Sequence, residues 1–173
     1  GQTRRADRGI AVLDQSVLRG IAKWPDVPAV YGWLALDRRG NWLLKDPGTG
    51  DFGRIGNEAL RAFIGRNYAA DARGCWYFQN GPQRVYVRLA YTPLVVRHDG
   101  AALVDHCGRP VQAAARFLDD EGSMLILCQH GIGLLDDRDL ARFADVAEAL
   151  PRVARDEVAS RFGFAPDPAF SLR

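Results

Sequence analysis

The side chains best able to do chemistry are concentrated between residues 98 and 130: His98, Asp99, Asp105, His106, Cys107, Cys128 and His130, which include all three histidines of the chain. Cys128 and His130 stand two residues apart and so share one face of a strand, while His106 and Cys107 end a neighbouring run. Imidazole nitrogen and thiolate sulfur are ligands that zinc prefers. That makes His106, Cys107, Cys128 and His130 a candidate metal set, and zinc the one cofactor the sequence raises. The spacing matches no metal motif, and the plainer reading makes a strand cysteine a small buried hydrophobe and a turn histidine a surface group. The same residues contain a Cys-His-Asp nucleophilic set. No nucleophile elbow or oxyanion-hole glycine pair surrounds it, and MLILCQH reads as core around Cys128, so no catalytic residue is assigned and the balance leans against an enzyme.

Two other groups could bind rather than react. The loop DPGTGDFGRIG (46–56) holds four glycines and precedes a helical run. Its amides and the helix start could hold an anion beside Arg54, although it has neither a Walker lysine nor the GxGxxG pattern, and a plain surface loop is the simpler reading. On the strand that follows the Asn80-Gly81-Pro82 turn, Arg84, Tyr86 and Arg88 alternate with Val85, Val87, Leu89 and Tyr91. The first set could stack bases and attract phosphates. It lacks the aromatic positions of an RNP signature, so a solvated face with arginine stems covering Tyr86 is expected instead.

These residues need elements to position them. Apolar residues at 10, 13, 17, 18 and 21 predict a helix over Ile10 to Trp24, closed by Pro25. Val30 to Asp37 and Asn41 to Lys45 predict a hairpin through Arg38-Arg39-Gly40. Asn57 predicts an N-cap for a helix that buries Leu60, Phe63 and Ile64. Cys75 to Gln79 and Arg84 to Tyr91 form a second hairpin, and short strands over 94–97, 101–105, 111–118 and 124–130 follow as a meander. Asp136 or Asp137 caps a helix running to about Ala149, and Pro151 opens a last helix ending near Phe162. ALDRRGNWLLK (35–45) echoes FLDDEGSMLIL (117–127), and NEALRAF echoes DRDLARF. The order hairpin, loop, helix thus occurs twice, with Leu43, Leu60, Phe63, Leu125, Leu140 and Phe143 as interior positions. Chance likeness of two amphipathic units is the competing explanation.

GNW at 40–42, the NEALRAF helix start and QNGPQRVYV at 79–87 resemble an uncharacterised family of small proteobacterial proteins, known only as a domain of unknown function, over most of the chain. The resemblance implies a compact α+β fold of two similar halves in a bacterial cytoplasm, and carries no catalytic residue across.

Composition limits the function classes. At 173 residues, 47% hydrophobic and 25% charged, the chain is an ordinary folded protein. Three cysteines without a CxxC pair fit neither a disulfide framework nor a zinc knuckle and suggest a reducing cytoplasm. No apolar run reaches the roughly 20 residues that span a bilayer, so no membrane partner is expected. Residues 1–73 carry 12 basic against 8 acidic side chains and residues 74–173 carry 11 against 13. A net charge of +2 argues against nucleic acid as the main partner. The expected architecture is α+β, mostly antiparallel sheet with flanking helices: a tail over 1–9, then one compact domain over 10–173 made of two pseudo-repeated halves, about 10–91 and 92–165. The expected role is a non-enzymatic module that binds a small molecule or a protein partner in a pocket between the halves. Arg54, Arg84, Tyr86 and Arg88 are its candidate ligand-binding residues. The alternatives are a metal or Cys/His-dependent enzyme using 106–130 and, third, a nucleic-acid binder through the arginine-rich first half.

Overall fold

A computed structural model describes residues 13–170 of the chain. The tail expected over 1–9 and the first three residues of the helix expected from Ile10 lie outside the described residues. The elements run α1 (Gln15–Lys23), β1 (Val30–Leu36), β2 (Trp42–Lys45), β3 (Phe52–Arg54), α2 (Glu58–Arg66), β4 (Tyr68–Ala70), β5 (Trp76–Asn80) and β6 (Gln83–Leu89). Then come β7 (Leu94–His98), β8 (Leu103–Asp105), β9 (Ala113–Asp119), β10 (Met124–Cys128), β11 (Gly131–Leu135), a 3-10 helix (Asp137–Phe143), α3 (Ala144–Ala147), β12 (Arg152–Val153), a 3-10 turn (Arg155–Glu157) and α4 (Val158–Phe162).

The fold is α+β with two six-stranded sheets, in the orders β3-β2-β1-β6-β5-β4 and β12-β9-β10-β11-β7-β8. Both are mixed, where the turns had suggested an antiparallel meander: β1 lies parallel to β6, β11 to β7 and β12 to β9. Tight turns specify only the antiparallel pairs they join. The parallel pairs link strands separated by long excursions, and no local signal marks them. Between the strand expected over 124–130 and the helix expected from Asp136 or Asp137, Gly131–Leu135 forms a further strand, largely buried, between β10 and β7. Gly133 is small for a packing reason: a Cβ there would stand 2.7 Å from Val96 Cγ2. β3 likewise lies within the expected 46–56 loop, and the helices expected over 136–149 and from Pro151 are shorter. The first is mostly 3-10, and the second begins at Val158 after the short β12.

One core unites the two sheets. Leu34, Leu36, Val87 and Leu89 of the first belong to the same apolar cluster as Leu94, Val96, Leu125 and Ile126 of the second. Alternation places those four first-sheet residues on one face, where α2 also packs, with the Phe63 ring edge-on to Phe78 at 5.5 Å. In β10 the consecutive Met124, Leu125 and Ile126 are all fully buried, so that strand is covered on both faces. α4 supplies part of the cover through the Phe117–Phe162 contact. Of the six expected interior positions, Leu125 is fully buried, and Phe63, Leu140 and Phe143 are partly buried against the core. Leu43 is half-buried. Leu60 is 39% exposed, because α2 turns Ile64 and Gly65 inward instead.

Candidate functional site

Four turns of identical construction position the polar residues. The pattern Asp-x-x-Gly-x occurs at Asp37, Asp71, Asp105 and Asp119. In each, the glycine amide donates to the aspartate carbonyl, and the aspartate amide donates to the carbonyl four residues on. One carboxylate oxygen accepts the amides two and four residues on: Arg39 and Asn41, Arg73 and Cys75, Cys107 and Arg109, Glu121 and Ser123. Gly40, Gly74, Gly108 and Gly122 have φ of 82°, 81°, 85° and 81°, a conformation that other residues adopt only with strain. The second carboxylate oxygen of each aspartate is left to reach something specific: Asn41, the Tyr86 hydroxyl, Arg109 or the Tyr91 hydroxyl.

The Asp105 turn carries His106 and Cys107, two of the four candidate metal ligands. His106 Nδ1 accepts from the Val95 amide at 3.1 Å, so its proton sits on Nε2, and the ring packs against Trp42 (5.0 Å) and Tyr68 (5.5 Å). Burial pulls its pKa down to about 4 and pushes the Cys107 thiol up to about 12. Both are therefore neutral near pH 7, and Cys107 is a poor nucleophile despite lying 3.7 Å from His106.

Cys128 and His130 lie elsewhere. They line a different hollow, of about 720 Å³, between the Asp71 turn and α4. His130 is also held below its ordinary pKa, first by burial and then by the charge of Arg109. The expected zinc set is thus divided between two hollows. Among the described residues no group of three or more His, Cys, Asp or Glu side chains is placed to hold a metal ion.

Arg54 has the more informative position. It lines a hollow of about 510 Å³ whose walls come from segments around both sheets: Trp42, Arg54, Glu58 and Arg61 on one side, Arg97 and His106 on the other. Arg54 donates to the Asn41 side chain and Arg61 to the carbonyls of Ile55 and Gly56, all neutral acceptors. Arg61 and Arg97 could not be found from sequence: each is an ordinary exposed arginine until the fold sets α2 beside the end of β7. The glycine loop, for which a plain surface loop was the simpler reading, supplies Arg54 from the edge strand β3 and tethers Arg61 through its carbonyls.

Arg84, Tyr86 and Arg88 do share the face opposite to Val87 and Leu89, as the alternation required, but that face is not uniformly wet. Tyr86 is only 5% exposed, inside a second small apolar cluster with Ala69, Cys75 and Tyr77. Its ring stacks on Tyr31 at 4.7 Å, its hydroxyl donates to Asp71, and burial raises its pKa. Arg84 lies over Tyr77 at 4.2 Å, and Arg88 alone of the three is well exposed. The expected solvated Tyr86 is corrected: neighbouring aromatic strands, which a one-strand reading omits, cover it.

Against known proteins, residues 13–169 match the model of a family described as Protein of unknown function (DUF2946). The chain belongs to that family. No curated protein matches it. Among solved structures, a crystal structure of a DUF1285 family protein from Silicibacter pomeroyi DSS-3 aligns with 16% identity over 80% of this chain and 81% of that one, with a TM-score of 0.45. That likeness is too loose to carry residues or activity across to the DUF2946 chain. Among the described residues no helix is long and apolar enough to cross a membrane.

Proposed function

We propose that this chain is a non-enzymatic binding module that takes a small anionic molecule in the hollow between its halves. The observation that carries this reading is the meeting of Arg54, Arg61 and Arg97, from β3, α2 and β7, in one half-open space with Glu58 as its only acid. None of the three arginines belongs to an ion pair among the described residues, whereas Arg66, Arg109, Arg138 and Arg155 do. Guanidinium forks match carboxylate and phosphate oxygens, and about 510 Å³ suits a small ligand. The neutral His106 and protonated Cys107 in the wall favour holding a ligand over attacking it. A cytoplasmic setting belongs to the same reading and is supported by Cys107 and Cys128, neither of which is in a disulfide.

The reading also takes the two halves as copies of one unit. Its support is that β1-β2-β3 and β9-β10-β11 are both antiparallel meanders followed by a helical segment, and that a later strand lies parallel to the first strand of each. The test is thermal denaturation with orthophosphate, pyrophosphate, citrate and adenosine monophosphate. A fitting anion at 100 times its Kd adds about 2.7 kcal/mol, a rise of roughly 5–10 °C for a domain this size. That rise should vanish in Arg97→Ala and Arg54→Ala. A flat response to all four anions, or one unchanged in both variants, refutes it.

A further inference from the structure

The outer face of the first sheet, turned away from α2, is built unlike the rest of the surface. Pairing sets Lys45 beside Phe52 and Ala35 beside Arg88. The β1–β2 register, Leu34 with Leu44 and Ala35 with Leu43, continues to place Trp33 next to Lys45. Trp33 is 42% exposed, a large indole left open on a sheet face. Cations stand over the rings: Lys45 Nζ is 5.9 Å from the Trp33 centroid, and Arg88 reaches across the small Ala35 to lie 4.6 Å over Phe52. Beside them Arg84 covers Tyr77 at 4.2 Å. No outward position of β1, β2, β3 or β6 is acidic. The nearby Asp46 turns its carboxylate onto the amides of Gly48 and Thr49 in the β2–β3 turn, and Asp51 ends that turn.

We infer that this face binds single-stranded nucleic acid, with a base stacked on Trp33 and phosphates drawn to Lys45, Arg84 and Arg88. An open indole offers every base a π-face, and no strand carboxylate opposes Lys45 or Arg88, while Arg84 shares its charge with Asp71 across the Tyr86 hydroxyl. A single strand fits where a duplex does not. A six-stranded face, with strands about 4.8 Å apart, is wider than a major groove of about 12 Å, whereas splayed bases lie down on it. The site is separate from the arginine hollow, to which none of these residues contributes.

The test is fluorescence anisotropy of labelled 12-nucleotide oligo-dT and oligo-U with the full chain from 50 to 200 mM salt. Three neutralised phosphates predict a log–log salt slope of about −2. Trp33→Ala should weaken binding at least fivefold, within the range that loss of one stacked base spans, and Trp33→Phe should restore most of it. Arg88→Gln should flatten the slope by about 0.7. Both side chains are exposed, so circular dichroism and melting temperature should stay at wild-type values and exclude misfolding. Arg97→Ala, which tests the hollow, should leave oligonucleotide binding unchanged. The inference is overturned by no binding at 50 mM salt, equal binding of a 12-base-pair duplex, a Trp33→Ala variant that binds like wild type, or attachment to phosphatidylserine vesicles without oligonucleotide binding.

Discussion

Replacing Tyr86 by alanine should cost about 3–5 kcal/mol, the usual penalty for removing a buried aromatic side chain. The structure says where the cost arises. Tyr86 is 5% exposed, its ring lies 4.7 Å from Tyr31 in parallel stacking and 5.8 Å edge-on from Tyr77, and its hydroxyl donates to Asp71 Oδ2 at 2.9 Å. Lost burial accounts for roughly 1.5–2.5 kcal/mol, and the ring pairs for about 0.5 kcal/mol more. The remainder is the bond to a carboxylate that anchors the β4–β5 turn, which Tyr86→Phe isolates at about 1–2 kcal/mol. Arg88→Ala, two residues along the same face and exposed, should stay within about 1 kcal/mol. Urea melts followed by circular dichroism and tryptophan emission measure all three. At roughly 2–4 °C per kcal/mol, Tyr86→Ala should lower Tm by about 6–20 °C. A Tyr86→Ala cost under 1 kcal/mol, or equal costs for Tyr86→Ala and Arg88→Ala, would show that the second cluster is not packed as described.

Two further outcomes are expected. Asp105 is fully buried and holds the Arg109 side chain at 2.9 Å together with two turn amides, so Asp105→Ala should cost about 3–5 kcal/mol in the same melts, since it strands a guanidinium whose Nη2 already has no partner among the described residues. Stability should also fall on acidification. His106, depressed from 6.5 to about 4, stays neutral in the folded chain while the unfolded chain protonates, so stability drops as pH falls through 6.5 and levels near 4, a loss of up to roughly 3 kcal/mol. Below 3.8 Asp136 takes over, because Arg138 holds it down to about 2. His106→Gln should flatten the upper part of this curve in urea melts at pH 4–7, and an unchanged slope would remove His106 as its cause.

Local chemistry was legible and long-range pairing was not. Asn57 caps α2 through its side chain on the Leu60 amide, as its type and place required, and the parity of β6 held, with Val87 and Leu89 in the core. Hairpin turns at 38–40 and 81–82 announce themselves through glycine and proline. What failed depends on partners far along the chain. Gly131 and Gly133 look like loop residues until Leu94 and Val96 arrive beside them, and Tyr86 looks exposed until Tyr31 and Tyr77 cover it. The same holds for the site. Arg54 was found because its own loop is unusual. Arg61 and Arg97 acquire meaning only when α2 and β7 meet, and the Cys/His group dissolved because sequence proximity within 106–130 does not place Cys128 beside His106.

The four aspartate turns bear directly on how the internal echo is read. Its clearest matches, Asp37 with Asp119 and Gly40 with Gly122, are the two residue types this turn demands, and the same demand produces Asp71-Gly74 and Asp105-Gly108 at sites with no place in the proposed alignment. The identities therefore argue for one turn chemistry used four times, and by themselves say nothing about duplicated halves. Duplication must rest on the topology, in which a meander, a helical segment and a strand parallel to the first meander strand recur in order. It makes a demand that turn chemistry does not: the backbones of 33–64 and 115–144 must superpose through the helical segment as well as through the hairpin. Agreement confined to the residues around Gly40 and Gly122 would leave the turn as the whole explanation. Agreement extending to Glu58–Arg66 and Asp137–Phe143, despite one being α and the other 3-10, would require a common unit, since nothing in the aspartate turn dictates where a helix some twenty residues later must lie.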